Sequence, residues 1–223
     1  VGIKILDGIE WPAEPDYMAW LTRLLTRRRR RRFGACLMAV PGGRVKDAAG
    51  RRRRVAPFEL DVRPVTNGEY LLFAQETGRE MPQWMFRAGF DDPRQPVVGV
   101  NHADASAFAR WAGKRLPTAK EWLRAARGND TRAFPWGEGY PEAGHAHFDQ
   151  GQRGGPAQVI DGPERPGGAG PFGHLDLAGN VWEWCSDGVL LGGFWGSKQL
   201  CLDEHLQPIP ADTSAGYGFR CAL

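Results

Sequence analysis

Cysteine is scarce in this chain. Four thiols in 223 residues, Cys36, Cys185, Cys201 and Cys221, include no C-x-x-C pair, which argues against a disulfide framework or a zinc knuckle and leaves free thiols as the expectation. No run approaches the roughly 18 consecutive apolar residues that a membrane span requires. There is no signal-peptide pattern, although in a chain that starts at Val1 rather than Met that lack says little about targeting. Internal repeats are also missing. The net charge is small: 29 Lys plus Arg against 26 Asp plus Glu give +3, the balance of an ordinary soluble protein.

What is present is enough for one sizeable core. A hydrophobic content of 42% with nine Trp excludes disorder as the main state, and the length suits one domain plus an extension. The small net charge conceals a split. Residues 1–54 hold 14 basic and 5 acidic side chains, residues 55–223 hold 15 and 21. Glycine and proline, 30 and 17 in all, concentrate between Gly137 and Gly173, where long regular elements are not expected.

Helix signals stand at three places. Thr66-Asn67-Gly68-Glu69 and Thr118-Ala119-Lys120-Glu121 have capping-box spacing, and the segments they open stop at Gly78 and Gly128. Between them Asn101 precedes Ala105, Phe108, Trp111 and Ala112 at helical spacing, with Gly113 as the stop. Strands are expected at 36–40, at 55–65 with Phe58, Leu60 and Val62 alternating, at 181–185, and at 218–223 as a closing strand. Residues 16–32, with Tyr17, Trp20, Leu21, Leu24 and Leu25 ahead of Arg27 to Arg32, read as an amphipathic helix with a basic C-terminal end. Arg51 to Arg54 read as an exposed loop. The sum is an α+β protein.

The motifs resemble a known family. Pro64-Val65-Thr66-Asn67-Gly68-Glu69-Tyr70, Pro96-Val97-Val98-Gly99-Val100-Asn101, Gly113-Lys114-Arg115-Leu116-Pro117-Thr118, Phe134-Pro135-Trp136-Gly137, Leu177-Ala178-Gly179-Asn180-Val181-Trp182-Glu183-Trp184, Gly192-Gly193-Phe194-Trp195 and Gly218-Phe219-Arg220 follow one another as in the formylglycine-generating enzyme (sulfatase-modifying factor) domain. The resemblance covers 33–223 and leaves 1–32 as an N-terminal extension. It implies a C-type-lectin-like fold, loop-rich with short helices and small antiparallel sheets.

The same resemblance implies that the oxidase chemistry is absent. In the family's enzymes a pair of cysteines just beyond the Gly-Gly-Ser-Trp-like turn binds copper and the substrate thiol; the matching positions here are Ser197 and Leu202. Cys201 is adjacent but alone, and a single thiol lacks the second soft ligand that copper(I) requires. No H-x-x-x-H-x-E iron set of the related sulfoxide synthases occurs among His102, His145, His147, His174 and His205. The tail instead is similar to the variable proteins of diversity-generating retroelements, whose closing Gly-Phe-Arg strand follows a diversified surface stretch.

That likeness implies a non-catalytic ligand-binding module. Its variable region spans about 192–223, its surface is formed by Phe194, Trp195, Gly196, Ser197, Gln199, Cys201, Asp203, His205, Ser214, Ala215 and Gly216, and its target is a protein or cell-surface component. Display on a phage or cell surface would suit such a module. Trp195 in this reading supports the surface from the fixed turn, and Trp182 and Trp184 are core residues. No cofactor is expected. Asn180 and Glu183 fall where some family members place calcium ligands, but two side chains supply too few of the six to eight oxygens; the alternative is that Asn180 caps a turn and Glu183 pairs with Arg115 or Arg220. His145 and His147, beside Asp149, are a weak metal signal. Two other functions compete: a copper-dependent oxidase using Cys201, and a nucleic-acid-binding protein acting through the Arg runs. Nucleic acid is not the expected partner, since neither interleaved aromatics nor a reader motif accompanies those runs.

Overall fold

Thr66 and Thr118 begin helices for the same reason. Each hydroxyl accepts from the amide of the residue three further on, and that residue's carboxylate accepts from the threonine amide, with Glu69 Oε2 2.8 Å from Thr66 N and Glu121 Oε2 2.8 Å from Thr118 N. Two orphan amides are satisfied at each start. A computed structural model describes residues 36–47, 50–129, 132–151, 154–159, 165–202, 205–209 and 211–223, all within the unit Gly34–Leu223. The helix expected over 16–32, with Arg27 to Arg32, and the candidate site residue Asp203 lie outside the described residues.

The capped helices are α1 (Asn67–Thr77), ending at Gly78 with φ +69°, and α3 (Ala119–Arg127), ending at Gly128. Between them α2 (His102–Trp111) starts at Asn101, whose Oδ1 accepts from Asp104 N at 2.8 Å. The apolar face of α1 meets α2 through rings: Tyr70 stacks on Phe108 at 5.9 Å and Phe73 meets it edge-on at 5.5 Å.

The strands form small sheets. Antiparallel pairs join β1 (Leu37–Val40) to β4 (Phe58–Asp61) and β2 (Gly43–Lys46) to β3 (Arg52–Val55). A four-stranded sheet runs in the order β7 (His205–Leu206), β6 (Leu190–Leu191), β5 (Trp182–Trp184), β8 (Tyr217–Gly218), with β5 and β8 parallel. Trp122 of α3, Leu60, Leu177, Leu191, Leu202 and Ala222 meet in the main core. Trp182 and Trp184 are buried.

Three expectations from the sequence are corrected. The single strand over 55–65 is two strands with different partners, separated by Ala56-Pro57, where proline has no amide to continue a ladder. Arg52 to Arg54 belong to β3 rather than a loop, because Val45 and Val55, 2% and 3% exposed, anchor one face of the hairpin to the core. The closing strand pairs with β5 only at Tyr217–Gly218; further on, Ala222 bridges Leu60 and Arg115, so the last residues tie two sheets together.

Among its described residues the Gly- and Pro-rich stretch has no helix or strand beyond a 3-10 turn at Pro166–Gly168. It is held by backbone bonds to the rest of the domain, among them Asp149 N to Ser197 O at 3.0 Å and Gln150 N to Trp195 O at 2.8 Å. These two bonds also support the tail.

Candidate functional site

The tail surface begins at a glycine pair that no other residue could replace cheaply. Gly192 and Gly193 have φ of +102° and +77°, and a Cβ on Gly192 would lie 3.1 Å from the Trp122 ring. Their fold-back sends the chain into a tight turn. Phe194 N donates to Ser197 Oγ at 3.1 Å, and Ser197 N donates to Phe194 O at 2.9 Å.

Trp195 and Gly216, expected among the ligand-facing residues, are buried. Trp195 is 3% exposed, its amide donates to Asn180 O at 3.1 Å and its ring meets Phe90 at 5.6 Å and Phe194 at 5.2 Å. Gly216 lies under the Phe194 ring, where a Cβ would come within 2.9 Å, and its carbonyl accepts from Trp182 N at 2.8 Å. Both act as supports beneath the surface. Phe194, Gly196, Ser197 and Ala215 are half-buried, and Gln199, Cys201, His205 and Ser214 are exposed. Phe194 and Ala215 pack on the same small core as Trp195, Val98 and Val181.

Sequence reasoning missed the other side of this core. The 3-10 turn Gln83–Phe86 brings Trp84 against Phe90 at 5.3 Å, with the Arg87 guanidinium 4.2 Å over the Trp84 ring. A chain of rings thus runs Trp84, Phe90, Trp195, Phe194. On the same turn Phe86 is 52% exposed, and in the tail Ile209 is 73% exposed. Exposed Ile209 in a Pro-flanked polar stretch was visible as a residue; the approach of 84–90 to 194–195 was not, since it depends on contacts over 100 residues apart.

The thiols differ in accessibility. Burial pushes the Cys185 and Cys221 thiols well above their usual range, and Cys201 is exposed with all four cysteines free. At the two positions where the family's enzymes carry their cysteines, the Ser197 hydroxyl already closes the turn, and Leu202, 2% exposed, packs in the main core. A hydroxyl and an aliphatic chain do not fit copper(I).

Asn180 and Glu183 are likewise engaged. Asn180 adopts a left-handed backbone, φ +62°; its Oδ1 accepts from Ala157 N at 2.9 Å and its Nδ2 donates to Ala157 O at 3.3 Å, tying the irregular stretch to the start of β5. Glu183 accepts from Trp122 Nε1 at 2.8 Å and twice from Arg220, Nε and Nη2, both at 2.7 Å. Of the two partners expected, Glu183 takes Arg220; Arg115 instead forms a bidentate pair with Glu121 at 2.7 and 2.8 Å. A cation here would have to displace donors from both side chains. His145 stacks on Trp136 at 4.9 Å and His147 Nε2 lies 2.9 Å from Gly155 O. Among the described residues no three His, Cys, Asp or Glu side chains converge as a metal site, and no helix is long and apolar enough to cross a membrane.

Beside the tail lies an open groove of about 680 Å³, lined by the apolar Leu123, Val189 and Leu191, by the charged Arg53 and Lys120, and by His205. The N-terminal amide of α3 at its edge is already taken by the Asp187 carboxylate, at 3.1 and 3.3 Å.

Short helices, small sheets that are antiparallel apart from the β5–β8 pair, and long irregular segments fastened by buried polar contacts define a C-type-lectin-like fold. Residues 24–223 match the sulfatase-modifying factor enzyme 1-like domain, and the chain belongs to that family. It is 42% identical to the formylglycine-generating enzyme of Streptomyces coelicolor, over 58% of this chain and 53% of that protein. To the inactive Cα-formylglycine-generating enzyme 2 of Bos taurus it is 29% identical, over 82% of each. It is 30% identical to the serine/threonine-protein kinase pkn1 of Chlamydia caviae over 74% of this chain, yet spans about a third, 32%, of that relative's length. Among solved structures, Treponema denticola variable protein 1 superposes with a TM-score of 0.61 at 16% identity, covering 83% of this chain and 94% of that one.

Proposed function

We propose that the chain is a non-catalytic ligand-binding module, and that its tail presents a variable surface to a macromolecular target in the manner of the variable proteins of diversity-generating retroelements. One observation carries this reading. The backbone of the tail turn is fixed from below by Trp195, Gly216 and the bonds from Asn180, Asp149 and Gln150, while Gln199, Cys201, His205 and Ser214 project outward. Side chains on such a scaffold can change without refolding it, and little ordering entropy is lost on binding. Phe194 would be the apolar anchor, with His205 a polar reader. The fold is used by a protein called a variable protein in Treponema denticola, and the family includes a bovine member called inactive.

The oxidase reading has Ser197 and Leu202 against it. Its test is oxygen consumption by the copper-loaded chain on a cysteine-containing peptide. No turnover is expected, and turnover abolished by Cys201→Ser would overturn the proposal. The diversification itself is tested on the encoding DNA: a nearby copy of the 3′ end differing at adenines, beside a reverse transcriptase gene, is expected. If no such copy exists, the tail is a fixed binding surface rather than a diversified one.

A further inference from the structure

The β2–β3 hairpin carries a feature that tail recognition leaves unused. In its register Arg44 stands opposite Arg54 and Lys46 opposite Arg52. Residues directly opposite one another share a face, so four cations lie together on one side of a two-stranded ribbon. Val45 and Val55 occupy the other side, buried against the core. All four cations are exposed. Among the described residues none of them forms an ion pair, whereas the neighbouring Arg51 and Arg53 share Asp47, at 3.5 and 2.9 Å.

Like charges directly opposite destabilise a strand pair. The hairpin holds this arrangement because its inner face is anchored, by the two valines and by the Arg124 side chain, whose Nε and Nη2 each donate to Pro41 O at 3.0 Å. The four side chains leave the backbone about 7 Å apart along each strand and about 5 Å apart across the pair. A single small anion cannot meet four such charges at once. A polymer with a charge every few ångströms can.

We propose that the outward face of the β2–β3 hairpin binds the phosphate backbone of duplex nucleic acid without reading its sequence. Three observations select that polyanion. The face bears no apolar side chain to enter a bilayer interface and no aromatic ring to stack on an unpaired base. Three of its four cations are arginines, whose planar fork matches a phosphate bidentately. A two-stranded ribbon is also narrow enough to enter a major groove. Backbone binding needs no reader motif, and the cross-strand pairing that assembles the face was hidden while Arg51 to Arg54 read as a loop.

The test is fluorescence anisotropy with the full chain and a labelled 20-base-pair DNA duplex between about 50 and 200 mM salt, compared with the variant Arg44→Gln/Lys46→Gln/Arg52→Gln/Arg54→Gln. Each phosphate contact contributes about 0.9 to the slope of log K against log salt. The variant's slope is therefore expected to be shallower by about 3.6, and the parent should lose roughly 100-fold more affinity than the variant over that range. Residues 27–32 are common to both chains and cancel in the difference. The variant is expected to melt a few degrees higher, since two repulsive pairs are gone, which also verifies that it folds. Equal slopes would overturn the proposal. So would binding by the parent to phosphatidylserine vesicles, but not to the duplex, at matched charge and salt, which would assign the face to membranes.

Discussion

Arg220 fixes the last strand to the domain, and replacing it tests whether that fixation is electrostatic. Its guanidinium is completely buried. Nε and Nη2 each donate to the Glu183 carboxylate at 2.7 Å, while the remaining donors reach the carbonyls of Asp61, Val62, Leu175 and Asp176 at 2.8 to 3.2 Å. Arg220→Met keeps most of the volume and removes the charge. Glu183, 1% exposed, then retains a single donor, Trp122 Nε1. Stranding one member of a buried pair costs about 3–5 kcal/mol, which in a domain of this size lowers Tm by roughly 6–20 °C. Thermal and urea unfolding measure it. A further outcome separates charge from packing. Glu183→Gln/Arg220→Met should recover a large part of the loss, because the stranded carboxylate is gone. If Arg220→Met costs less than about 1 kcal/mol, or if the double variant is less stable than the single, the buried pair is not what holds the tail.

Other parts of the structure give sharper single readouts. Burial first, and the Arg220 charge second, lower the pKa of His174 to about 4 from an ordinary value of 6.5. The unfolded chain therefore takes up a proton there before the native state does, and stability falls as pH drops from about 6.5 toward 4. Asp61 opposes this, since burial raises its carboxyl to about 6 despite the ion pair with Lys114; the His174 contribution is isolated as the difference between parent and His174→Gln, which should shift by about 2–3 kcal/mol between pH 7 and 4.5 in urea unfolding. Gly99→Ala places a Cβ 2.3 Å from the Trp84 ring at a backbone φ of +75°; it should cost about 2–4 kcal/mol and change Trp fluorescence as the ring chain beneath the tail is displaced. Thr66→Ala and Thr118→Ala should each cost about 1 kcal/mol and add when combined, because the two capping boxes share no partner.

What the sequence made legible was the local chemistry. Thr66 with Glu69 and Thr118 with Glu121 are decided within four residues, so the helices they start, and the glycines that stop them, could be read directly. Ordered motifs indicated the fold, because residues such as Gly192 and Gly193 are required by backbone angles that only glycine adopts readily. Long-range pairing was not legible. Arg51 to Arg54 look like a solvated run until Val45 and Val55 are known to share the inner face of a hairpin, and Trp195 counts among the surface residues until Phe90 is known to lie against it. Glu183 had two arginines in reach of the argument, and the choice depended on Glu121 having claimed Arg115. In each case the missing fact was which distant segment arrives, and neither spacing nor propensity contains that.

Helix α3 connects the two surfaces inferred for this chain. Trp122 donates to Glu183, which holds Arg220 and through it the strand that closes the tail, while two residues on Arg124 donates to Pro41 O and Gly42 O at the turn into the β2–β3 hairpin. The outward side chains of the two surfaces belong to neither set of contacts. Substituting Gln199, Cys201 or His205 on one side, or Arg44, Lys46, Arg52 and Arg54 on the other, leaves every buried bond of α3 intact. Changes in those side chains should therefore alter affinity at one surface without altering the other, whereas a change at Trp122 should disturb the fold that carries both. A fold with so little regular structure can keep exposed positions free to vary only if a few buried polar contacts fix the backbone, and α3 supplies two of them.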